Sequence, residues 1–444
     1  MSLDIIILCI IICCMFIALI REWFLPEFTV FLTLSVLIIT GILSITEALN
    51  GFSNPGVHTV ALLFIISAAL SKSGILDELI QKILIPNKSL PHILFRLMFP
   101  ITSLSAILNN TPIVTMLIPT LQKWAFSNNI NPSKLMIPLS YAAILGGTIT
   151  LIGTSTNLIV HGLLLEKGFV GFHLFDFAIF GLPLTLAGII YFAFIGHYLL
   201  PNRPHIRGKS VEKQQHCNHT FTVTKESVLN GQSTQVGALP PVNKFKKQPR
   251  YVKFVTLGVL MGLILASIFQ LLSTIEIALI TACIFILTKI LTVPEAIKAI
   301  HWNVIILMGS SIGIGKAIEQ TGLAQTIASI LLEVQYSLGI IGVVILFYIT
   351  TIILTEILNN LATAAFMFPI GYSISTQLNL DPMMFAMLTA IASSCSFLTP
   401  IGYQTNMLVY GPGGYKFSDY IKVGGPLSLI CLILSIIIAY AKWL

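Results

Sequence analysis

Ile107-Leu-Asn-Asn-Thr-Pro-Ile-Val-Thr-Met-Leu-Ile-Pro119 lies inside an apolar run that extends from Ile93 to Trp124. Two adjacent amides, a hydroxyl and a helix-breaking proline sit in the middle of it. In hydrocarbon such a stretch is costly: proline removes a backbone donor, and each unsatisfied polar group costs several kcal/mol. A break of this kind is tolerated in a membrane only where it is buried in protein or lines a watery cavity. As one helix the run would be roughly 45–50 Å long at about 1.5 Å per residue, against a hydrocarbon core of about 30 Å. The reading that fits is two short helices meeting at Asn109-Asn110-Thr111, a re-entrant hairpin with its tip turned toward a binding site.

The pattern recurs. Ile357-Leu-Asn-Asn-Leu-Ala-Thr-Ala-Ala-Phe-Met-Phe-Pro369 carries a second Asn pair and a second proline, with Asn110 and Asn360 separated by 250 positions (360 − 110) and Pro119 and Pro369 by the same offset. Gly153-Thr-Ser-Thr-Asn157 follows the first hairpin. Gly402-Tyr-Gln-Thr-Asn406 follows the second at an offset of 249 (406 − 157). Gly74 and Gly322, ahead of the hairpins, are 248 apart (322 − 74). The chain reads as an internal duplication, and paired broken segments in two halves point to a transporter's site.

Composition sets the class. Of 444 residues, 56% are hydrophobic and 9% charged, a balance that predicts a polytopic membrane protein. Apolar runs at 3–20, 27–47, 56–76, 133–165 and 172–200 surround the hairpin 92–126. The second half repeats this with 251–271, 274–291, 302–319, 384–411 and 420–443 around the hairpin 337–376. Five crossings per half is an odd number, so the second repeat (251–444) is expected to be inverted relative to the first (1–200). The expected fold class is therefore all-α, with two inverted-topology repeats of five transmembrane helices, each carrying a re-entrant hairpin and a broken helix. The first span lacks a basic leader and a small-residue cleavage site and reads as retained. The linker, 201–250, holds nine basic residues against two acidic ones, which equals the whole net charge of +7. Positive loops stay in the cytoplasm. This places both termini outside, in an inner (cell) membrane, and puts Arg21, Lys72, Arg96, Lys123, Lys289 and Lys416 on the linker side, with Lys167, Lys316 and Lys442 opposite. The linker reads as solvated and orienting, with no nucleic-acid partner; the lipid bilayer is the partner that composition implies. His216-Cys217-Asn218-His219 has no second ligand cluster and is not read as a metal site. Six of the seven cysteines lie in apolar runs, where a thiol behaves as a small hydrophobe.

Four interrupted elements can then meet at midplane: the two tips and the breaks at Gly153-Thr154 and Gly402-Tyr403. Helix N-termini at such breaks suit an anion. Freed carbonyls with Asn and Ser oxygens suit a hard cation such as sodium. No Lys or Arg lies in any of the four, so bound cations would supply the positive charge that an anion needs. Glu356, four residues before Asn360, is intramembrane on this map. It is either functional or a structural partner of the hairpin backbone.

These residues resemble the divalent anion:sodium symporters of the ion-transporter superfamily, whose tips carry a Ser-Asn-Thr signature. Here Asn109-Asn110-Thr111 and Asn359-Asn360-Leu361 stand at those places. Gly-Phe-Ser-Asn-Pro-Gly at 51–56, Leu354-Thr-Glu356 and Thr399-Pro-Ile-Gly-Tyr-Gln-Thr-Asn406 look like the sulfate-permease-like branch, although a linker of about fifty residues has no room for that branch's central regulatory domains. The resemblance implies co-transported sodium, with Ser105, Asn109, Asn110 and Gly153 at a first cation site and Thr355, Asn359, Asn360 and Gly402 at a second. It implies substrate contacts from Asn110, Thr111, Thr154, Asn360, Tyr403 and Gln404, a homodimer, and an elevator-type motion. An arsenite or sodium/proton antiporter of the same superfamily is the alternative, and would lean on intramembrane carboxylates, of which Glu356 is the main one. No Ser/His pair, paired aspartates or His-Glu-x-x-His helix lies in a span, so an intramembrane protease is not expected. Leu361 in place of threonine, with Tyr403 and Gln404 in the second break, predicts a small pocket that favours a sulfate-like oxyanion over a dicarboxylate.

Overall fold

The structure is a computed structural model that describes residues 3–21, 23–75, 89–203, 250–269, 272–333 and 335–444. The His216–His219 stretch and the linker from 204 to 249 lie outside the described residues. Every regular element among those described is helical.

The two halves unfold in the same order. Helices Leu3–Ile20, Pro26–Ile39, Ile45–Asn50 and Pro55–Ser73 open the first; Arg250–Ile268, Thr274–Leu287, Val293–Ala299 and Trp302–Gln320 open the second. Each half then has a hairpin, Leu90–Ser105 with Asn110–Ser127 and Gln335–Ile357 with Asn360–Gln377. Each follows with an interrupted helix, Met136–Gly147 with Ser155–Glu166 and Pro382–Ser394 with Gln404–Gly413. Ala178–Tyr191 and Phe417–Trp443 close the halves. The first arm of the second hairpin is two helical pieces that meet at Gly339, whose φ of 67° kinks the chain.

Among the described residues, five helical stretches are individually long and apolar enough to cross a membrane, or six if the pair Val293–Ala299 and Trp302–Gln320, bent by 52°, counts as one. The other expected spans are shorter or interrupted, and local chemistry explains where they stop. The 27–47 run ends at Ile39 because Gly41 takes φ 74° and Ser44 and Glu47 then form a capping box that starts a new helix. The 274–291 run ends at Leu287, where Lys289 takes φ 56° and Thr292 and Glu295 form the matching box. A capping box satisfies two orphan backbone donors reciprocally and so fixes a helix start. Both pairs of positions are 248 residues apart.

Contacts between the halves are reciprocal as well. Lys72 Nζ of the first half meets Glu295 of the second at 2.7 Å. At the equivalent position, Gln320 Nε2 of the second half meets Glu47 Oε1 of the first at 2.5 Å. Residue i touching j′ while i′ touches j is the contact pattern of a two-fold relation. Around the interrupted helices the core is aromatic: Tyr141 donates to the Phe397 carbonyl at 2.6 Å and its ring lies against those of Phe397, Phe192 and Tyr420.

Candidate anion and cation site

Each hairpin tip is a helix start. Asn109 caps the second arm of the first hairpin, its Oδ1 accepting from the Thr111 N–H at 3.4 Å, and Asn359 caps the other through the Ala362 N–H at 2.8 Å. Asn side chains are preferred at this position because the oxygen satisfies an orphan N–H. The first residue of each pair therefore commits its side-chain oxygen to the backbone. Asn109 Nδ2 also donates to Ser155 Oγ at 3.2 Å, whereas Asn359 Nδ2 is buried without a partner among the described residues.

The second residue of each pair turns inward. Asn110 lies against Ser105 Oγ, whose hydroxyl also donates to the Ala143 carbonyl at 2.7 Å. In one orientation the Asn110 amide presents its oxygen to Ser105 Oγ and to the carbonyls of Ala143 and Gly153, which makes a cradle of oxygens suited to a hard cation. Reversed, its nitrogen donates to those same carbonyls at 3.1 and 3.2 Å. Without a cation the reversed orientation is favoured; a cation in the cradle favours the first. In the second half Thr355 Oγ1 lies 3.4 Å from Asn360 Oδ1 and donates to the Ser393 carbonyl at 2.7 Å. Ser105 and Thr355, Asn110 and Asn360, and Ala143 and Ser393 are each 250 positions apart, so the same three positions recur in the second half.

The breaks are held by one device used twice. Asn157 Nδ2 donates to the carbonyls of Thr150 and Gly147 at 2.8 and 3.4 Å, and Asn406 Nδ2 to those of Ser396 and Thr399 at 2.9 and 3.2 Å. Thr150 Oγ1 donates to the Ala106 carbonyl, and Thr399 Oγ1 to the Glu356 carbonyl, tying each break to its hairpin. Only glycine fits at 153, where an added Cβ would stand 2.5 Å from the Gly147 carbonyl oxygen and 2.9 Å from that of Ser105. At 402 a Cβ would fall on the Ser396 hydroxyl and come within 2.9 Å of the Thr355 carbonyl and Glu356 Oε2.

Between the cradles, three helix starts meet. The Tyr403 hydroxyl lies 2.7 Å from the Asn110 amide and 3.0 Å from Thr154 Oγ1, and Thr111 Oγ1 lies 3.1 Å from Gln404 Oε1. Asn110, Thr154 and Tyr403 are all buried. Five of the six expected substrate contacts are thus joined by hydrogen bonds. The sixth, Asn360, is buried and, among the described residues, bonds only within its own half, to Thr355. The N-termini of Asn110–Ser127, Ser155–Glu166 and Gln404–Gly413 bring their free N–H groups and positive dipole ends together there, an arrangement suited to an anion.

Glu356 reaches from the second hairpin to the second break. Its Oε1 accepts the Leu398 N–H and its Oε2 the Thr399 N–H, both at 2.8 Å. It thereby holds the unwound segment of the second interrupted helix to the second hairpin. Its counterpart in the first half is Ala106, so this clamp exists once. Thr150, Ser396 and the cradle carbonyls of Ala143 and Ser393 carry no motif of their own in the sequence. The recurring offset was the signal that could have found them.

The profile of the family described as "Citrate transporter" (CitMHS) matches residues 16–390. An uncharacterized transporter of Synechocystis is 28% identical over 92% of each chain. Sodium/sulfate cotransporter 1 of Chlamydomonas reinhardtii is 37% identical over 42% of this chain and 22% of its own length. A sodium-dependent dicarboxylate transporter of Staphylococcus saprophyticus is 30% identical over 33% of this chain and 28% of its own. In fold, the Alcanivorax borkumensis YdaH transporter superposes with a TM-score of 0.59 at 15% identity, covering 89% of this chain and 86% of that one. The chain belongs to the citrate transporter family and is a membrane transporter of small anions, not an enzyme.

Proposed function

We propose that the chain is a sodium-coupled symporter whose substrate is a compact divalent oxyanion, sulfate or a close relative, with a dicarboxylate as the next candidate. The observation that carries the reading is the site's charge economy. Three helix N-termini meet between two oxygen cradles, and no Lys or Arg lies in the tips or breaks. A dianion there is neutralised by cations in the cradles, so binding of one favours binding of the other. The Tyr403 hydroxyl, set between Asn110 and Thr154, narrows the space. Leu361 brings an apolar side chain where Thr111 brings a hydroxyl, so donors are concentrated toward one side. A site built to hydrogen-bond its ligand discriminates strongly, because a wrong ligand leaves buried groups unpaired. The sodium/sulfate and sodium-dependent dicarboxylate relatives support both the coupling and the substrate class over the parts they cover. Engagement of both Glu356 oxygens by backbone N–H groups favours the symporter over the arsenite or proton-antiporter alternative.

The test is labelled sulfate uptake into proteoliposomes. Uptake is expected to be concentrative under an inward sodium gradient, to vanish when choline replaces sodium, and to be competed by selenate but not by succinate. Accumulation of succinate with sulfate ignored would overturn the oxyanion reading and leave the anion symporter standing. Full activity in choline would overturn sodium coupling.

The same reading includes two inverted repeats, 1–200 and 251–444, joined by a basic cytoplasmic linker at 201–250, in a homodimer whose hairpins and interrupted helices move as one block in an elevator-type step. The contacts at the root of the linker support its placement: Arg203 pairs with Asp419 at 2.8 Å and Lys134 Nζ bonds the Leu200 carbonyl at 2.6 Å, gathering basic residues on one rim. Reporters fused within the linker are expected to read as cytoplasmic and a C-terminal reporter as external. Both on one side would refute the inverted arrangement.

A further inference from the structure

Asn157 and Asn406 hold their breaks in the same way but differ at the other end of the amide. Because Nδ2 of each donates to break carbonyls, Oδ1 is fixed as an acceptor. Asn406 Oδ1 accepts the Ser140 hydroxyl at 2.7 Å, from the first arm of the opposite interrupted helix. By the same reciprocal pattern as the rim contacts, the position across from Asn157 is the counterpart of Ser140, which is Ala390 and has no hydroxyl. Helix Ser155–Glu166 does pack on helix Pro382–Ser394. Asn157 Oδ1 is buried and has no partner among the described residues.

Of the eight buried hydroxyls in the same condition among the described residues, two lie within four positions of Ala390. Ser393 and Ser394 follow Ala390 by three and four positions, which on a helix places them beside it on one face. Both hydroxyls are fully buried without a partner among the described residues. Their first-half counterparts, Ala143 and Ile144, carry no hydroxyl at all. Other helical hydroxyls in the chain bond the carbonyl four residues back, as Thr389 does to Phe385, Thr351 to Phe347 and Thr33 to Thr29. Ser393 and Ser394 forgo that bond, which leaves their oxygens free to accept. Buried polar atoms without partners are rare and call for an occupant.

We propose a third cation site, formed by Asn157 Oδ1, Ser393 Oγ and Ser394 Oγ around Ala390. It takes a small hard monovalent cation, because its ligands are neutral oxygens with no carboxylate among them to balance a divalent ion. It stands beside the second cradle, since the Ser393 carbonyl is the one that Thr355 Oγ1 bonds. The site rests on the sodium-coupled reading above.

The test counts radiolabelled sodium bound to the purified full-length protein in detergent and follows melting in sodium and in choline. Ala390→Ser supplies the hydroxyl that Ser140 supplies in the other half. It is expected to bind one sodium ion fewer than wild type and to melt at a higher temperature than wild type in choline. Ser394→Ala is expected to weaken the same sodium step about tenfold while leaving the remaining sodium binding intact. If both variants bind sodium in the same number and affinity as wild type, the space holds water or nothing and the proposal falls. If wild type itself binds no sodium, sodium coupling has failed instead, a result the variants cannot produce.

Discussion

Replacing Asn110 by alanine is expected to abolish anion uptake while leaving insertion and yield near wild type. This one amide closes the first cradle, reaching Ser105 and the carbonyls of Ala143 and Gly153, and meets the Tyr403 hydroxyl where the helix starts converge. Its removal weakens the cation and the anion together. A buried hydrogen bond to a charged group contributes roughly 1.5–3 kcal/mol, so each ligand is expected to bind about ten- to hundredfold more weakly, and coupled turnover depends on both. The helix cap survives, because Asn109 and not Asn110 provides it. Sodium- and sulfate-dependent shifts in melting temperature of the purified variant check this directly. An Asn110→Ala protein that keeps near-normal uptake would make the Asn pair mere glue between helices.

The second large effect belongs to Glu356. Replacing it by alanine strands the N–H groups of Leu398 and Thr399 in the protein interior. Two bonds to a carboxylate at roughly 1.5–3 kcal/mol each amount to a loss on the order of 3–6 kcal/mol, a large share of a typical folding free energy of about 5–15 kcal/mol. The expected outcome is low yield and a melting temperature several degrees below wild type, with Glu356→Gln intermediate because its amide keeps one acceptor. The discriminating measurement is sodium dependence in the glutamine variant. A clamp that only holds the break lowers the amount of active protein and leaves that dependence unchanged. A switch from sodium to proton dependence would make Glu356 a coupling group.

The elements that sequence made legible are those where polarity interrupts hydrocarbon. Asn109-Asn110 and Asn359-Asn360 mark hairpin tips, and Gly153 and Gly402 mark breaks, because unsatisfied groups in an apolar run have no innocent explanation. Helix ends set by turn chemistry were harder to see. Gly41 and Lys289 stop their helices early with positive φ, a backbone property that an apolar composition hides. Roles that depend on direction were illegible. Asn109 and Asn359 give their side-chain oxygens to a helix cap, whereas Asn110 and Asn360 turn theirs to Ser105 and Thr355, and one residue of register decides which. Glu356 reads equally as a coupling group or a clamp until its oxygens are seen on the N–H groups of Leu398 and Thr399. Ala390 carries no sequence signal, because what matters there is the hydroxyl that it lacks.

The reciprocal rim contacts have a consequence for biosynthesis. Lys72 is made 223 residues before Glu295, and Glu47 is made 273 residues before Gln320. At a synthesis rate of about 5–20 residues per second, the first half waits in the membrane for roughly ten seconds to a minute with both rim partners missing. During that interval its helices have packed only against one another and against lipid. A membrane-embedded chaperone or a quality-control protease therefore meets a first half that lacks both rim partners until helix Trp302–Gln320 arrives.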